Sequence, residues 1–361
     1  MSSSQLEPAV ARYLDRAKDA PRITILASKF DDLASGASGQ PRKPVQLDPA
    51  LLGHDTEALA FATARRERAG TFNAHGVATL PYLLEEQCRF GAALWRYGVE
   101  MERLYGRPAN VYTLGDAAGV TARALTQVAN GSIRTLTCSP TKENRDQFFA
   151  RGAPEGAAFF LGPFFEVTPE ALLEAGIIGF DQKFDVVVED TTFQMYGPER
   201  YEPIALARRN LRDDGIFVLL EKIRHEDPQE YLRRECQKDE DFKARYFDVS
   251  QISEKQSTIL DHMQKMEVSL GELTDALKRH FSAAVITWNS GNFYMIAASS
   301  NVANLIGFVH GMLPPAIPTE FCYETLPKTL YGIESGNVEF RKHVTEPASG
   351  LGLGGLFGMQ A

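Results

Sequence analysis

Hydrophobic and polar positions change rhythm twice along the chain. Up to about residue 107 the apolar positions recur at helical spacing. From 108 to 300 short apolar runs alternate with amphipathic stretches. Beyond Asn301, prolines at 314, 315 and 318 break the pattern. Within the first region, Thr79–Tyr105 places Leu80, Leu83, Leu84, Phe90, Leu94 and Tyr97 on one side, which predicts one long helix with Pro81 in its first turn. Ser35–Pro44 is rich in Gly, Ser and Pro and reads as a mobile connection.

The central region predicts five strands, at Asn110–Leu114, Ile133–Thr137, Ala157–Leu161, Phe184–Glu189 and Gly215–Glu221, with helices between them. Ser139-Pro140 and Thr168-Pro169-Glu170 are helix starts, each an N-cap followed by proline at the first helical position. Strands alternating with helices imply parallel pairing through crossovers, hence a doubly wound α/β sheet. The alternation is then interrupted. Asp227-Pro228-Gln229-Glu230 resembles a capping box, Gln251–Met266 looks helical, and Ser269-Leu270-Gly271-Glu272 is a fuller box opening a helix with Leu273, Ala276, Leu277 and Phe281. Two β-rich runs joined by Asn289-Ser290-Gly291-Asn292 close the region as a hairpin.

Composition narrows the function classes. A net charge of −9 without a basic stripe argues against a nucleic-acid surface, because neutralising phosphates needs clustered Lys and Arg. The four cysteines are far apart and lack CxxC spacing, which disfavours structural zinc and a disulfide framework. No apolar run has signal-peptide or membrane-spanning character, so a cytoplasmic protein that does not engage a membrane is expected. The oligomeric state stays open, a homodimer included.

Candidate chemistry sits at the carboxyl ends of the predicted strands, where open α/β sheets bind ligands. The turn Gly115-Asp116-Ala117-Ala118-Gly119 crowds small residues between the first strand and its helix, so a ligand can approach the backbone closely. The fourth strand ends in Glu189-Asp190-Thr191-Thr192-Phe193-Gln194-Met195-Tyr196. Consecutive carboxylates at the end of a buried strand are costly unless used or solvated. Glu221 ends the fifth strand and is expected in the same crevice. His225, just after it, and His75 are histidines that reach the crevice if their segments fold over it. Surface or loop positions are the commoner fate of such residues.

The stretch 110–300 resembles the class I S-adenosylmethionine-dependent methyltransferases. The resemblance lies in the element order, the TLGDAAG loop, the SPTKEN start of the second helix, the FDVVVEDTTF fourth strand and the terminal hairpin. It implies a Rossmann-like sheet of seven strands whose last strand inserts antiparallel beside the fifth. It further implies S-adenosylmethionine laid across the first two strand ends, held by Gly115, Asp116, Ala117, Gly119, Thr137, Cys138, Ser139, Gly162, Phe164 and Asp190. Asp190, Glu189, Tyr196 and His225 are the catalytic candidates, and Phe193 and Tyr196 are rings able to face a sulfonium. Three positions depart from the family. Thr113 and Thr137 stand where carboxylates are usual, and Gly162-Pro163-Phe164 follows the third strand where an acid often meets the adenine.

The domains expected are a helical cover over 1–107, a methyltransferase domain over 108–300 with a lid at 224–268, and an extension over 301–361. Its Gly-rich end is expected to be flexible. The reading is a methyltransferase for a small-molecule acceptor without a resident metal. The alternative is a methyltransferase-fold protein with a degenerate cofactor site, serving as a binding subunit or another kind of catalyst. A nicotinamide enzyme would want G-x-G-x-x-G and an acid some twenty residues on, and the chain offers neither.

Overall fold

A computed structural model describes residues 7–18, 26–53, 55–180, 183–334 and 336–342. The Gly-rich C-terminal end expected to be flexible lies outside them. The N-terminal region comprises α1 (Pro8–Ala17), α2 (Ala27–Ser35), α3 (Thr56–Arg68), α4 (Thr71–Thr79) and α5 (Leu83–Tyr105). Next come β1 (Ala109–Leu114), α6 (Val120–Ala129), β2 (Ile133–Ser139), α7 (Lys142–Ala150), β3 (Ala157–Leu161) and α8 (Pro169–Glu174). β4 (Phe184–Asp190), α9 (Tyr201–Arg208) and β5 (Leu211–Lys222) follow. Then come α10 (Pro228–Gln237), α11 (Val249–Lys255), α12 (Asp261–Gln264) and α13 (Leu270–Lys278). β6 (Ala283–Ser290), β7 (Phe293–Ser299), α14 (Val302–His310) and β8 (Lys328–Tyr331) complete the order.

The strands form one sheet of eight, ordered β3-β2-β1-β4-β5-β7-β6-β8. The first five are mutually parallel, and β7 runs antiparallel between β5 and β6. The count therefore exceeds the seven expected: Lys328–Tyr331 pairs antiparallel with the outer edge of β6. The β6–β7 turn is also tighter than expected. Ser290 pairs with Phe293, so the loop is Gly291-Asn292, with Gly291 at φ +57°.

Two apolar layers sandwich the sheet. Phe90 and Leu94 of α5, Leu125 of α6 and Phe308 of α14 pack one face, where they meet Val111, Val186 and Val218. Tyr13 of α1, Leu172 of α8, Ile204 of α9 and Leu277 of α13 pack the other, against Tyr112, Val187 and Phe217. Both faces are buried, so these strands read as continuous apolar runs.

The helix predicted over 79–105 is present from Leu83 to Tyr105, but it starts later than expected: Thr79 ends α4, and 80–82 make a corner between the two helices. Leu80 precedes Pro81 and is held extended at φ −117°, ψ 117°, and Tyr82 turns left-handed at φ 59° before α5 begins at Leu83. The corner lets α4 lie over the head of the sheet. α7 likewise begins later than Ser139-Pro140 suggests: Thr141 is the residue before it, and Ser139 Oγ accepts from Thr141 N and Asn144 Nδ2. Thr168 caps α8, and Ser269 with Glu272 forms a complete capping box on α13. At α10 only half the box exists. Asp227 accepts from Gln229 N, while Glu230 pairs with Arg233 and Arg234.

Candidate active site

The ends of β1, β4 and β5 open into a cleft of about 1260 Å³, counting its mouth. Its floor is the turn Gly115-Asp116-Ala117-Ala118 with Asp190 and Lys222. α2 and α4 roof it through Phe30, Leu33, Phe72 and His75. The lid supplies Lys238, Lys243, Lys255, Ile259, Leu260 and Met263. A narrower arm of about 500 Å³ runs along the end of β2, lined by Cys138, Ser139, Pro140, Asn144, Phe164 and Tyr196. Stacked Phe30 and Phe72, 6.0 Å between centroids, border both spaces.

The turn's shape follows from its own packing. A Cβ at Gly115 would sit 2.2 Å from the Asp190 carbonyl oxygen, and the residue adopts φ +92°. Gly119 combines φ +66° with Phe148 at 2.7 Å from a Cβ. Both glycines are thus demanded by close chain approach, whatever the turn binds. Asp116 spends its two oxygens on Thr121 N and Ala122 N, at 3.3 and 2.9 Å, which fixes the first turn of α6. Ala117, at φ +41°, is a strained alanine on the cleft floor.

Asp190 faces the cleft at the end of β4. Burial, then the negative charge of Asp116, raises its carboxyl to about 7. Burial raises Asp116 as well, and Arg65 of α3, 2% exposed, lies where its charge opposes both rises. Its guanidinium donates to Gln87 Oε1. Two polar side chains reach the cleft with atoms unpaired. Gln194, 1% exposed, has neither amide atom partnered, and Asn144, 2% exposed, bonds Ser139 through Nδ2 but leaves Oδ1 free. Unpaired buried amides are expensive, so they mark where a polar ligand or ordered water belongs.

Several residues expected at the site are engaged elsewhere. Thr137 Oγ1 bonds Thr113 Oγ1 at 2.9 Å between β1 and β2, fully buried and away from the cleft lining. Gly162 donates its N–H to the Ser139 carbonyl and lines neither space. Glu189 is fully buried and turns back to accept from Thr192 N and Phe193 N, bracing the loop after β4. Glu221 does not enter the crevice; it is buried in an ion pair with Arg200 at 2.8 Å. Strand alternation sends the next residue, Lys222, there instead. His225 is half-buried in a separate groove with Arg224, Glu226 and Glu272. Cys138, Ser139, Phe164 and Tyr196 line the narrow arm, where Phe164 and Tyr196 meet edge to face at 5.6 Å. Among the described residues, no group of His, Cys, Asp and Glu side chains is arranged to hold a metal ion.

His75, unlike His225, is in the cleft. Its Nδ1–H donates to the Gly39 carbonyl at 2.5 Å and its Nε2 accepts from Lys255 Nζ at 2.6 Å. Burial, then the charge of Lys255, lowers its pKa to about 3, so the ring is neutral. Lys222 is held by Tyr231 OH, Glu235 and Glu267 at 2.8 to 3.0 Å. Lys238 pairs with Glu235, and Lys243 with Asp239 at 2.7 Å. The cleft is therefore polarised, with carboxylates at the β1–β4 end and ammoniums at the lid end. Sequence reasoning missed Arg65 and the lysines and gave Asn144 and Gln194 no role. Two of these residues carried a signal, Asn144 as part of the SPTKEN stretch and Gln194 as part of the run that ends the fourth strand.

No protein-family model matches the sequence, and no curated protein matches it either. Among solved structures, the chain is similar to the plantazolicin methyltransferase BpumL in complex with a monoazolic desmethylPZN analog and SAH. That match has 9% identity and a TM-score of 0.42 and covers 67% of this chain and 95% of that one. It is also similar to magnesium protoporphyrin IX methyltransferase (ChlM) from Synechocystis with bound SAM, at 10% identity and a TM-score of 0.35, over 72% and 100% of the two chains. Likenesses this distant carry no argument about residues or ligands. The strand order does speak to architecture: a parallel sheet ordered β3-β2-β1-β4-β5, with β7 antiparallel between β5 and β6, is a class I S-adenosylmethionine-dependent methyltransferase fold.

Proposed function

We propose that the protein is an S-adenosylmethionine-dependent methyltransferase acting on a small-molecule acceptor. The observation carrying this reading is the open cleft at the strand ends, whose lining includes Asn144 and Gln194 with Oδ1 of the one and the amide of the other buried and unpaired. In this proposal the adenosyl part occupies the narrow arm, between Cys138, Pro140, Phe164 and Tyr196. Asn144 Oδ1 accepts a ribose hydroxyl, taking the place of the family's carboxylate with a neutral and weaker acceptor. The 115–117 backbone passes beside the methionine part, and Gln194 offers a donor and an acceptor to its amino acid end.

When bound, S-adenosylmethionine supplies a methyl carbon whose C–S bond breaks as the acceptor's lone pair forms the new bond, the displaced pair returning to sulfur. The protein's part is alignment and exclusion of water. α2, α4 and the lid over 224–268 close the cleft above the reacting atoms, and ionised Asp190 favours a positively charged sulfonium over a neutral thioether. Asp190 is the group proposed near the methyl; Tyr196 serves the adenosyl side, and Glu189 braces the loop.

The alternative, a binding protein with this fold and no methyl transfer, draws support from the Thr113–Thr137 pair, which leaves no ribose carboxylate on β2. Calorimetric titration with S-adenosylhomocysteine, S-adenosylmethionine and NADH separates the readings. Micromolar binding of the first two without NADH binding is expected. Silence toward all adenosyl ligands at millimolar concentration overturns the cofactor assignment.

A further inference from the structure

Deep in the cleft, the lid end has one ammonium more than it has carboxylates. Lys222, Lys238, Lys243 and Lys255 line it, and the acids bonded to them are Glu235, Glu267 and Asp239. Lys255 is the odd one. Among the described residues no carboxylate lies within ion-pair distance of its Nζ, and its printed partner is the neutral ring of His75. Burial together with the neighbouring charges of Lys243 and Lys238 makes that ammonium costly, lowering its proton affinity well below that of a free lysine. Lys243, already bonded to Asp239, is lowered to about 8 by burial and by Lys238. The cavity therefore walls in a lysine that has no carboxylate of its own and that takes up its charge most readily when an anion enters beside it.

The local geometry is built rather than incidental. His75 is fixed on both ring nitrogens, by Gly39 O and by Lys255, so the lysine is aimed rather than free to sweep. Wide π-type turns occupy 238–242 and 256–260, the first beginning at Lys238 and the second directly after Lys255. Such turns interrupt helices mostly where a side chain is needed in a particular place. Around the ammoniums, Leu33, Leu80, Ile259, Leu260, Met263 and Phe293 supply apolar wall. A second chamber of about 890 Å³ shares Lys255 and His75 with the cleft and has Lys29 and Glu254 in its lining.

We infer that the acceptor is an oxyanion on an apolar body, a carboxylate or a phosphate monoester, whose charged group seats on Lys255 and Lys243 while its apolar part lies against the lid. His75 is a positioning residue that orients Lys255. This rests on the methyltransferase reading for the identity of the site, and it assigns the acceptor's chemical class, which the fold leaves open. The charge pattern also orients the reactants: a sulfonium is favoured beside Asp190, and an anion at the opposite end.

The test uses the full chain saturated with S-adenosylhomocysteine and three probes of equal shape: 2-naphthoate, 2-naphthyl phosphate and neutral 2-naphthalenemethanol. Calorimetry on the wild-type protein should show at least one anion binding tenfold or more tighter than the alcohol. The ratio of the two anions tells carboxylate from phosphate. In Lys255→Gln that preference should vanish, with alcohol and S-adenosylhomocysteine affinities unchanged within about threefold. Equal affinity for all three probes on the wild type overturns the inference without needing a variant, and so does a preference that survives Lys255→Gln. If S-adenosylhomocysteine does not bind, the cofactor reading fails on its own, and the acid-to-alcohol ratio on the unliganded protein still reads the lysine subsite.

Discussion

Replacing Asp190 by asparagine should make the folded protein more stable at pH 8 and less able to distinguish S-adenosylmethionine from S-adenosylhomocysteine. The carboxyl is raised to about 7 from 3.8, chiefly by burial and next by Asp116. Between those two values the native state holds a proton that the unfolded chain has released, so stability falls as pH rises through this window. The full gap corresponds to roughly 4 kcal/mol at about 1.36 kcal/mol per tenfold. Asp190 is only half-buried on the cleft floor, and water screening there reduces the expected effect over the whole window to about 2 kcal/mol. Asparagine keeps the shape and removes the titration. Urea unfolding of both proteins at pH 5 and pH 8 checks this: those two pH values span about two thirds of the window, so the wild type should lose about 1 kcal/mol more than the variant between them. In the same pair, wild-type preference for the sulfonium over the thioether should grow from pH 5.5 to 8, while the variant's stays flat. Parallel stability curves would refute the burial argument, and an unchanged sulfonium preference in the variant would remove Asp190 from the reacting end.

Other perturbations follow from single contacts. Gly115→Ala must place a Cβ against the Asp190 carbonyl in a left-handed conformation, so a loss of at least about 2 kcal/mol is expected in urea melts. Asn144→Ala should weaken S-adenosylhomocysteine by about 1 kcal/mol in calorimetry while leaving NADH silent, and equal affinity would move the ribose elsewhere. Arg200→Leu leaves Glu221 buried without its partner and should cost about 3–5 kcal/mol, most of it restored by adding Glu221→Leu. Denaturation of the single and double variants decides it. Ser269→Ala removes a complete capping box and should cost about 1 kcal/mol in the same assay.

The parallel strands were legible because both faces are covered, which writes each as an apolar run such as Phe184–Asp190. Helix starts were legible where the cap is local, as at Thr168 and Ser269, and less so at Ser139, whose oxygen turns to Asn144 three residues into α7. β8 escaped notice because four residues between Pro327 and Gly332 carry little periodicity. At the site, the turn 115–119 and Asp190 could be read from their place at strand ends. Thr137 could not be excluded from sequence, because its partner Thr113 lies 24 residues away and only register brings them together. The lysines are the plainest case. Lys238, Lys243 and Lys255 belong to a stretch of mixed charge that reads as a solvated surface, and long-range folding of the lid turns them inward. Arg65 hid in the same way, as one of several basic residues ending α3.

A crystal structure of the complex with S-adenosylhomocysteine tests the central claim most directly. The account predicts adenosine in the arm lined by Cys138, Phe164 and Tyr196, a ribose hydroxyl within hydrogen-bond distance of Asn144 Oδ1, and sulfur nearer to Asp190 than to Lys255. A nucleoside bound anywhere other than beside the 115–119 turn, or crystals that take up none at saturating concentration, would contradict it.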